Sequence, residues 1–152
     1  MTFWQELLNN QVLISAVVAW VTAQLLKTII DYALNRNFSA ERLVGAGGMP
    51  SSHSATVCSL VTASLIKHGP GSTEFAICFG LAAIVMYDAI GVRRETGKHS
   101  IWLNSMISEY PMKFNSEIFQ KKLKEYVGHT PLQVLAGALL GILITLLLDI
   151  AY

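Results

Sequence analysis

Four apolar segments alternate with polar stretches along the chain. They run from Val12 to about Leu34, from about Ser54 to Ile66, from about Phe75 to Ile90, and from Leu132 to Ala151. A membrane-spanning helix needs roughly 20 residues, and the first and fourth segments reach that length, whereas the second and third reach it only with their polar ends. The first and fourth segments are also apolar on every face, unlike the surface helices of soluble proteins. The pattern predicts an all-α fold: one integral membrane domain over residues 1–152, a small polytopic helical bundle with about four transmembrane helices.

A shorter stretch between the last two apolar segments has helical periodicity of another kind. In "NSEIFQKKLKEYVG", the residues Phe119, Leu123, Tyr126 and Val127 recur at the spacing of one helix face. Lysines occupy the remaining positions and suit anionic lipid headgroups. We expect an amphipathic helix ending near Gly128 that lies along the membrane surface, although a solvated basic face fits the same pattern.

The charges predict an orientation in the membrane. Only 14% of the residues are charged and the net charge is +1, which excludes the general basic field of a nucleic-acid-binding protein. Nine of the 11 lysines and arginines fall in the loops 35–53 and 91–131, and Lys67 alone lies in the connections on the opposite side. Since cytoplasmic loops carry an excess of Lys and Arg, we expect both long loops to face the cytoplasm of a bacterium, or the equivalent side of a plastid or thylakoid-type membrane.

Little in the sequence suits metal or cofactor chemistry. Cys58 and Cys78 both lie in apolar segments and are interpreted as core thiols. No Cys/His spacing typical of zinc and no Walker-type loop is present. We therefore predict no cofactor and no metal.

The last apolar segment contains "GALLG", residues 137–141, with two glycines four positions apart. In membrane helices this spacing is typical of close helix packing. We expect it to pack the segment inside the bundle or to pair two copies of the chain, so a homo-oligomer is left open.

The stretch "GGMPSSHSAT", residues 47–56, places polar residues directly before the second apolar segment. Pro50 suits the first turn of a helix, because its missing N–H would be unpaired there. The N–H groups of Ser51, Ser52 and His53 would then be free at a helix N-terminus, which attracts anions and phosphate above all. The alternative is that these residues merely cap a transmembrane helix.

A second histidine is also expected at a helix N-terminus. His129 comes just before Thr130 and Pro131, which are an N-cap and first-turn pair at the start of the fourth apolar segment. Both histidines should therefore lie at helix N-termini on the same side of the membrane. Four cations are expected on that side as well: Lys27, Arg36, Arg93 and Arg94.

These residues resemble the type 2 phosphatidic acid phosphatase superfamily, in particular its divergent small membrane branch. Pro50-Ser51-Ser52-His53 matches the P-S-G-H motif of that superfamily, with Ser52 where glycine is usual. His129, with the "VLAGALLG" that follows it, matches the histidine and the helix of the third motif. The resemblance covers the chain from about Lys27 to Gly141.

The resemblance implies a membrane enzyme that removes phosphate from a lipid without a metal. His129 would attack phosphorus and become a phosphohistidine, and His53 would act as general acid and then as general base. The substrate would be a lipid phosphomonoester or diphosphate in contact with membrane lipids. The residues that would bind its phosphate are Lys27, Arg36, Ser51, Ser52, Arg93 and Arg94.

The sequence departs from the family pattern at three places. Lys27 and Arg36 are nine residues apart, so they converge only if the helix ends near Asn35. Leu123 occupies the position of the third-motif arginine. Gln133 stands where the family has the aspartate that orients the nucleophile, so slow turnover or support from another acid, such as Asp88, is expected.

Two other functions compete with the phosphatase. A non-catalytic membrane protein could use the same anion pocket to bind a lipid phosphate or to help assemble a membrane complex, and Gln133 and Leu123 favour it. A small transporter or channel subunit would need polar residues through the bilayer midplane. The third and fourth apolar segments offer almost none.

Overall fold

The computed structural model describes residues 2–36, 48–109, 123 and 128–151, and all regular structure in these ranges is helical. The helices are α1 (Phe3–Leu8), α2 (Gln11–Asn35), α3 (Ser52–His68), α4 (Thr73–Ile90), α5 (Val92–Glu109) and α6 (Pro131–Ala151). The four apolar segments became α2, α3, α4 and α6, with their ends displaced by no more than two residues. The all-α prediction is confirmed.

Three stretches of the described chain are long and apolar enough to cross a membrane: Gln11–Leu34, Thr73–Glu109 and Pro131–Ile150. Helix α3, the remaining predicted span, has 17 residues and a length of about 26 Å. It is the least apolar of the four and also the central one, because α2, α4 and α6 all pack against it. Its neighbours shield its many hydroxyl groups from lipid.

Helix α5 was not predicted. The chain bends at Gly91 after α4 and continues as a helix, where the sequence had suggested a loop. Charged residues fill its first two turns and hide the periodicity of an apolar face formed by Val92, Trp102, Leu103 and Met106, which is exposed. The amphipathic helix predicted over 115–128 falls, except for Leu123 and Gly128, outside the described residues.

The interior of the bundle is built from small side chains, and the large apolar ones face outward. Ala19, Ala23 and Ala55 form one buried cluster where α2 meets α3. Ile29, Ile84 and many other large apolar residues are exposed. In lipid no hydrophobic force drives helices together, so small residues that permit close backbone contact are selected for the interior. This inverted pattern fits an integral membrane protein.

Helices α3 and α6 run parallel and make the closest backbone contact in the bundle. A Cβ atom at Gly137 would collide with the carbonyl oxygen of Ser51, and one at Gly141 would collide with the carbonyl oxygen of Ala55. Farther along, Ser59 Oγ and Thr145 Oγ1 share a hydrogen bond of 2.7 Å. We call this contact the α3–α6 seam: Ser51, Ala55 and Ser59 on α3, with Gly137, Gly141 and Thr145 on α6.

The two glycines of "GALLG" serve helix packing within one chain. Both glycines are covered by α3 of the same molecule. They are not free to pair two copies, so self-association stays a prediction that would need another surface.

We predict that Gly141→Ala destabilises the protein by about 1–3 kcal/mol, because the added methyl group overpacks the seam against Ala55. The matched control is Gly80→Ala on α4, where an added Cβ meets nothing within 4 Å. That substitution should be neutral or slightly stabilising, since alanine favours helix. Thermal unfolding of both variants in detergent tests the pair, and equal midpoints would contradict the packing described here.

Candidate active site

The N-termini of α3 and α6 lie side by side at one end of the bundle. The backbone N–H of Ser51, the N-cap of α3, donates to the carbonyl oxygen of Gln133 in the first turn of α6 at 3.0 Å. Each helix presents the positive end of its dipole at this point. Two such ends side by side repel each other and together attract an anion.

The two histidines meet at these N-termini, as predicted. The ring centroids of His53 and His129 are 6.4 Å apart, with 60° between the ring planes. His129 is buried, with 3% of its surface exposed, and His53 is partly buried. The backbone N–H of His129 donates to the carbonyl oxygen of Ala89 at 3.1 Å, which ties the histidine to the last turn of α4.

Gly128 allows His129 to reach this position. A Cβ at Gly128 would collide with the backbone of Arg93 and Arg94 at the start of α5. Only glycine permits the chain to pass so close to α5. The segment before α6 is thus held against two helices, by Ala89 of α4 and by the first turn of α5.

Gln133 fixes the tautomer of His129. The backbone N–H of Thr130 donates to Gln133 Oε1 at 3.0 Å, so the amide oxygen, and not the NH₂ group, points toward the start of α6. His129 Nδ1 lies 3.2 Å from the same oxygen and must therefore carry the proton. The neutral imidazole then has its lone pair on Nε2.

The environment keeps His129 neutral. Burial is the main cause that lowers its pKa below the ordinary value of 6.5. The hydrogen bond that His129 donates to Gln133 opposes this shift, and the positive charges of Lys27 and Arg93 and the nearby His53 reinforce it. A neutral histidine is the form that a nucleophile requires.

Lys27 is a buried cation beside the start of α3. It is 2% exposed, and its Nζ donates to Gln24 Oε1 at 2.7 Å and to Ser52 Oγ at 3.4 Å. Gly48 packs on the Lys27 side chain, and with φ +84° it adopts a backbone conformation that favours glycine. The predicted juxtaposition of Lys27 with the "GGMPSSH" stretch is present in the structure.

Arg93 and Asp88 share a cavity with His53. The cavity has a volume of about 190 Å³, and its other lining residues are Ile84, Val85 and Ala89. Arg93 Nε donates to Asp88 Oδ2 at 2.7 Å. Burial, Arg93 and Lys27 lower the pKa of His53, and Asp88 raises it.

The structure differs from the sequence prediction at the start of α3. Pro50 precedes the N-cap Ser51 and does not occupy the first turn. The N–H of Ser51 is not free, because Gln133 accepts it. The Ser51 hydroxyl accepts from the backbone N–H and the hydroxyl of Ser54. Among the described residues, the N–H groups of Ser52 and His53 have no acceptor, so these two remain for a ligand.

Two predicted phosphate ligands are not brought to the histidines by any contact among the described residues. Helix α2 does end at Asn35, as convergence of Lys27 and Arg36 requires, and Arg36 takes the left-handed C-cap conformation. Arg36 is nevertheless exposed. Arg94 is placed beside the site through its backbone at Gly128, and its side chain is exposed.

Three functional residues were missed from the sequence. Gln24 is buried and accepts from Lys27; its signal was a polar residue inside an apolar segment, three positions before the lysine. Gly128 was interpreted only as a helix end. Ser54 looked like an ordinary helix residue, although it completes the cap of α3.

The described part of the chain contains no group of three or more His, Cys, Asp and Glu side chains close enough to hold a metal ion.

A family model described as the divergent PAP2 family matches residues 8–144. The chain belongs to this family. It is also similar to the uncharacterized membrane protein YuiD of Bacillus subtilis (strain 168), with 39% identity over 153 residues that cover 94% of this chain and 96% of that protein. No solved structure matches the chain. The resemblance inferred from the histidine motifs is confirmed, and so is the assignment to the membrane.

Because the pKa values of His53 and His129 are lowered in the folded state, the unfolded chain binds more protons when the pH falls below about 6.5. We predict that the free energy of unfolding decreases as the pH falls through this range. Histidine NMR titrations in micelles should place both midpoints below 6.5. Lys27→Met should raise both, since it removes a nearby positive charge. Wild-type midpoints at or above 6.5 would contradict this description.

Proposed function

We propose that this member of the divergent PAP2 family is a lipid phosphate phosphatase that works through a phosphohistidine and needs no metal. One observation carries the proposal: His53 and His129 lie 6.4 Å apart at two adjacent helix N-termini, next to a buried Lys27. A histidine that only caps a helix or lies at the membrane interface needs neither a second histidine nor a buried lysine beside it.

The separation of the rings suits a phosphoryl group between them. A near-attack geometry places the nucleophile about 3–3.5 Å from phosphorus. A general acid lies about 2.6–3.2 Å from the oxygen it protonates. Ring centroids 6.4 Å apart are close enough for both imidazoles to contact one phosphoryl group.

The first step transfers the phosphoryl group to the enzyme. The lone pair on His129 Nε2 forms a bond to phosphorus while the bond from phosphorus to the lipid oxygen breaks. His53 gives its proton to that oxygen, and the lipid alcohol leaves. The products of this step are a phosphohistidine and a neutral His53.

The second step returns the enzyme to its starting state. His53 removes a proton from water, the water oxygen bonds to phosphorus, and the bond from phosphorus to Nε2 breaks. Phosphate leaves, and His53 carries the proton again. No oxidant, reductant or metal is needed to balance either step.

The charge that develops on the phosphoryl oxygens has preorganised partners. Lys27 is held by Gln24 and Ser52, so its ammonium group need not reorganise. The N–H groups of Ser52 and His53 add donors at the positive end of the α3 dipole. Such fixed dipoles and charges are typically the largest contribution to catalysis of this kind.

The surroundings of the site favour a lipid over a soluble substrate. The polar groups lie at one end of a bundle whose outer surface is apolar. Below His53 the cavity wall is formed by Ile84 and Val85. Phosphatidylglycerophosphate, phosphatidic acid and polyprenyl diphosphates all fit this description. From the positions of Lys and Arg we propose a bacterial plasma membrane or plastid-type membrane, with the site on the cytoplasmic side.

A second function is favoured by Gln133. Its amide orients His129 as the aspartate of the family would, but without the negative charge that stabilises a cationic imidazole. A protein that binds a lipid phosphate without cleaving it, or that helps to assemble a membrane complex, would be served equally well by this arrangement.

We predict phosphate release from at least one lipid phosphate by the detergent-purified protein in the presence of EDTA. His129→Ala and His53→Ala should each reduce the rate about 10²-fold or more, because general acid–base and nucleophilic groups contribute on this scale. The control is His68→Ala at the opposite end of α3, which should leave the rate unchanged. No release from any lipid, together with lipid-phosphate binding that survives both substitutions, would establish the binding function.

We further predict that Gln133→Glu accelerates turnover. A glutamate at this position still accepts from Thr130 in the same capping arrangement, and its charge stabilises the imidazolium character of the intermediate. Phosphohistidine is labile to acid, so single-turnover reactions are quenched with alkaline detergent, and the phosphorylated protein should form faster in Gln133→Glu than in wild type. Gln133→Leu is the comparison, and it should slow turnover because the tautomer of His129 is no longer fixed.

A further inference from the structure

An ion pair stands at the opening of the site. Arg93 Nε lies 2.7 Å from Asp88 Oδ2, and the side chains are 45% and 37% exposed. Both line the cavity of about 190 Å³ that also contains His53. Nε of Arg93, on one edge of its planar donor fork, is therefore held by a carboxylate of the same chain.

This pair is one that a phosphate can separate. Exposed ion pairs are weak, whereas the planar fork of arginine binds a phosphate through two charge-assisted hydrogen bonds. A phosphate dianion in the cavity would compete with Asp88 for Arg93. Once Arg93 turns to the phosphate, the carboxylate of Asp88 loses its partner while it still lines the cavity with His53.

We propose that Asp88 is a positioning residue with two states: it holds Arg93 while no phosphate is bound, and it releases Arg93 to a bound phosphate and then faces His53 with an unpaired carboxylate. The inference rests on the phosphate site of the proposed function but not on catalysis. In this arrangement the carboxylate of Asp88 acts on His53, the proposed general acid. The uncharged Gln133 remains the partner of His129, the proposed nucleophile.

The exchange reverses the electrostatic surroundings of His53. The titratable and charged groups facing it are Lys27 from α2, Asp88 from α4, Arg93 from α5 and His129 before α6. Without phosphate, Lys27 and the Arg93–Asp88 pair together leave a net positive charge near His53. With phosphate bound, the dianion and the free carboxylate both favour the imidazolium. His53 then takes a proton from solvent when substrate binds, which is when a general acid is needed.

The test uses tungstate, a tetrahedral dianion that does not itself titrate near pH 7.5, and the full-length protein in detergent. Calorimetry in two buffers of different ionisation enthalpy gives both the dissociation constant and the number of protons taken up. We expect wild type to take up a proton on binding. In Asp88→Asn, binding should become about twofold to fivefold tighter because the competing carboxylate is gone, and proton uptake should fall.

The matched control is Glu95→Gln, which breaks the pair of Glu95 and Lys98 on the same surface at 2.6 Å but outside the cavity. It should leave the affinity and the proton uptake unchanged. Arg93→Lys should weaken binding, since it keeps the charge and loses the fork. Unfolding midpoints close to that of wild type confirm that the variants are folded.

Three results would overturn the inference: unchanged affinity and proton uptake in Asp88→Asn, weaker binding in Asp88→Asn, or no tungstate binding by wild type. The weaker binding would mean that Asp88 only orients Arg93. Absence of lipid hydrolysis alongside the expected tungstate behaviour would refute the phosphatase and leave the exchange at a binding site intact.

Discussion

The backbone contact between α3 and α6 is the constraint on which the rest of the site depends. Gly137 and Gly141 let the carbonyl groups of Ser51 and Ala55 approach to a distance that no side chain permits. The contact fixes the two helices in parallel, with the N-cap of α3 beside the first two turns of α6. Parallel alignment places like dipole ends together, which costs free energy in the empty protein and favours a bound anion. The seam therefore links the packing of small residues to the proposed phosphate site.

The same seam accounts for the hydroxyl-rich interior. Polar groups in lipid must find partners within the protein. Ser51 and Ser54 pair at the helix start, and Ser59 pairs with Thr145 deeper in the bundle. The Ser59–Thr145 pair lets α3 and α6 approach more closely than leucine or isoleucine would allow. Small polar residues thus allow close packing and also form hydrogen bonds inside the bundle, whereas the large apolar residues face the bilayer.

Much of the architecture could be predicted because it rests on local signals. The apolar segments gave α2, α3, α4 and α6 with accurate ends, and cap residues placed both histidines at helix starts. The position of α5 was missed because its charged first turns obscure an apolar face. Contacts between distant segments determine which group accepts from the Ser51 N–H, why residue 128 must be glycine, and which residue of α3 binds Lys27. No local pattern in the sequence encodes them.

The hydrogen bond between Ser59 and Thr145 joins residues 86 positions apart, with α4 and α5 between them in the chain. During synthesis, α3 therefore leaves the ribosome long before the helix that covers its hydroxyl face. Until α6 is made, Ser59 lacks the Thr145 hydroxyl with which it pairs in the finished bundle. The contact between the two histidines likewise forms only after the chain has been made as far as His129. A chain that ended before His129 would contain Lys27, Arg36, Arg93 and Arg94, all four predicted cations, but only one of the two histidines.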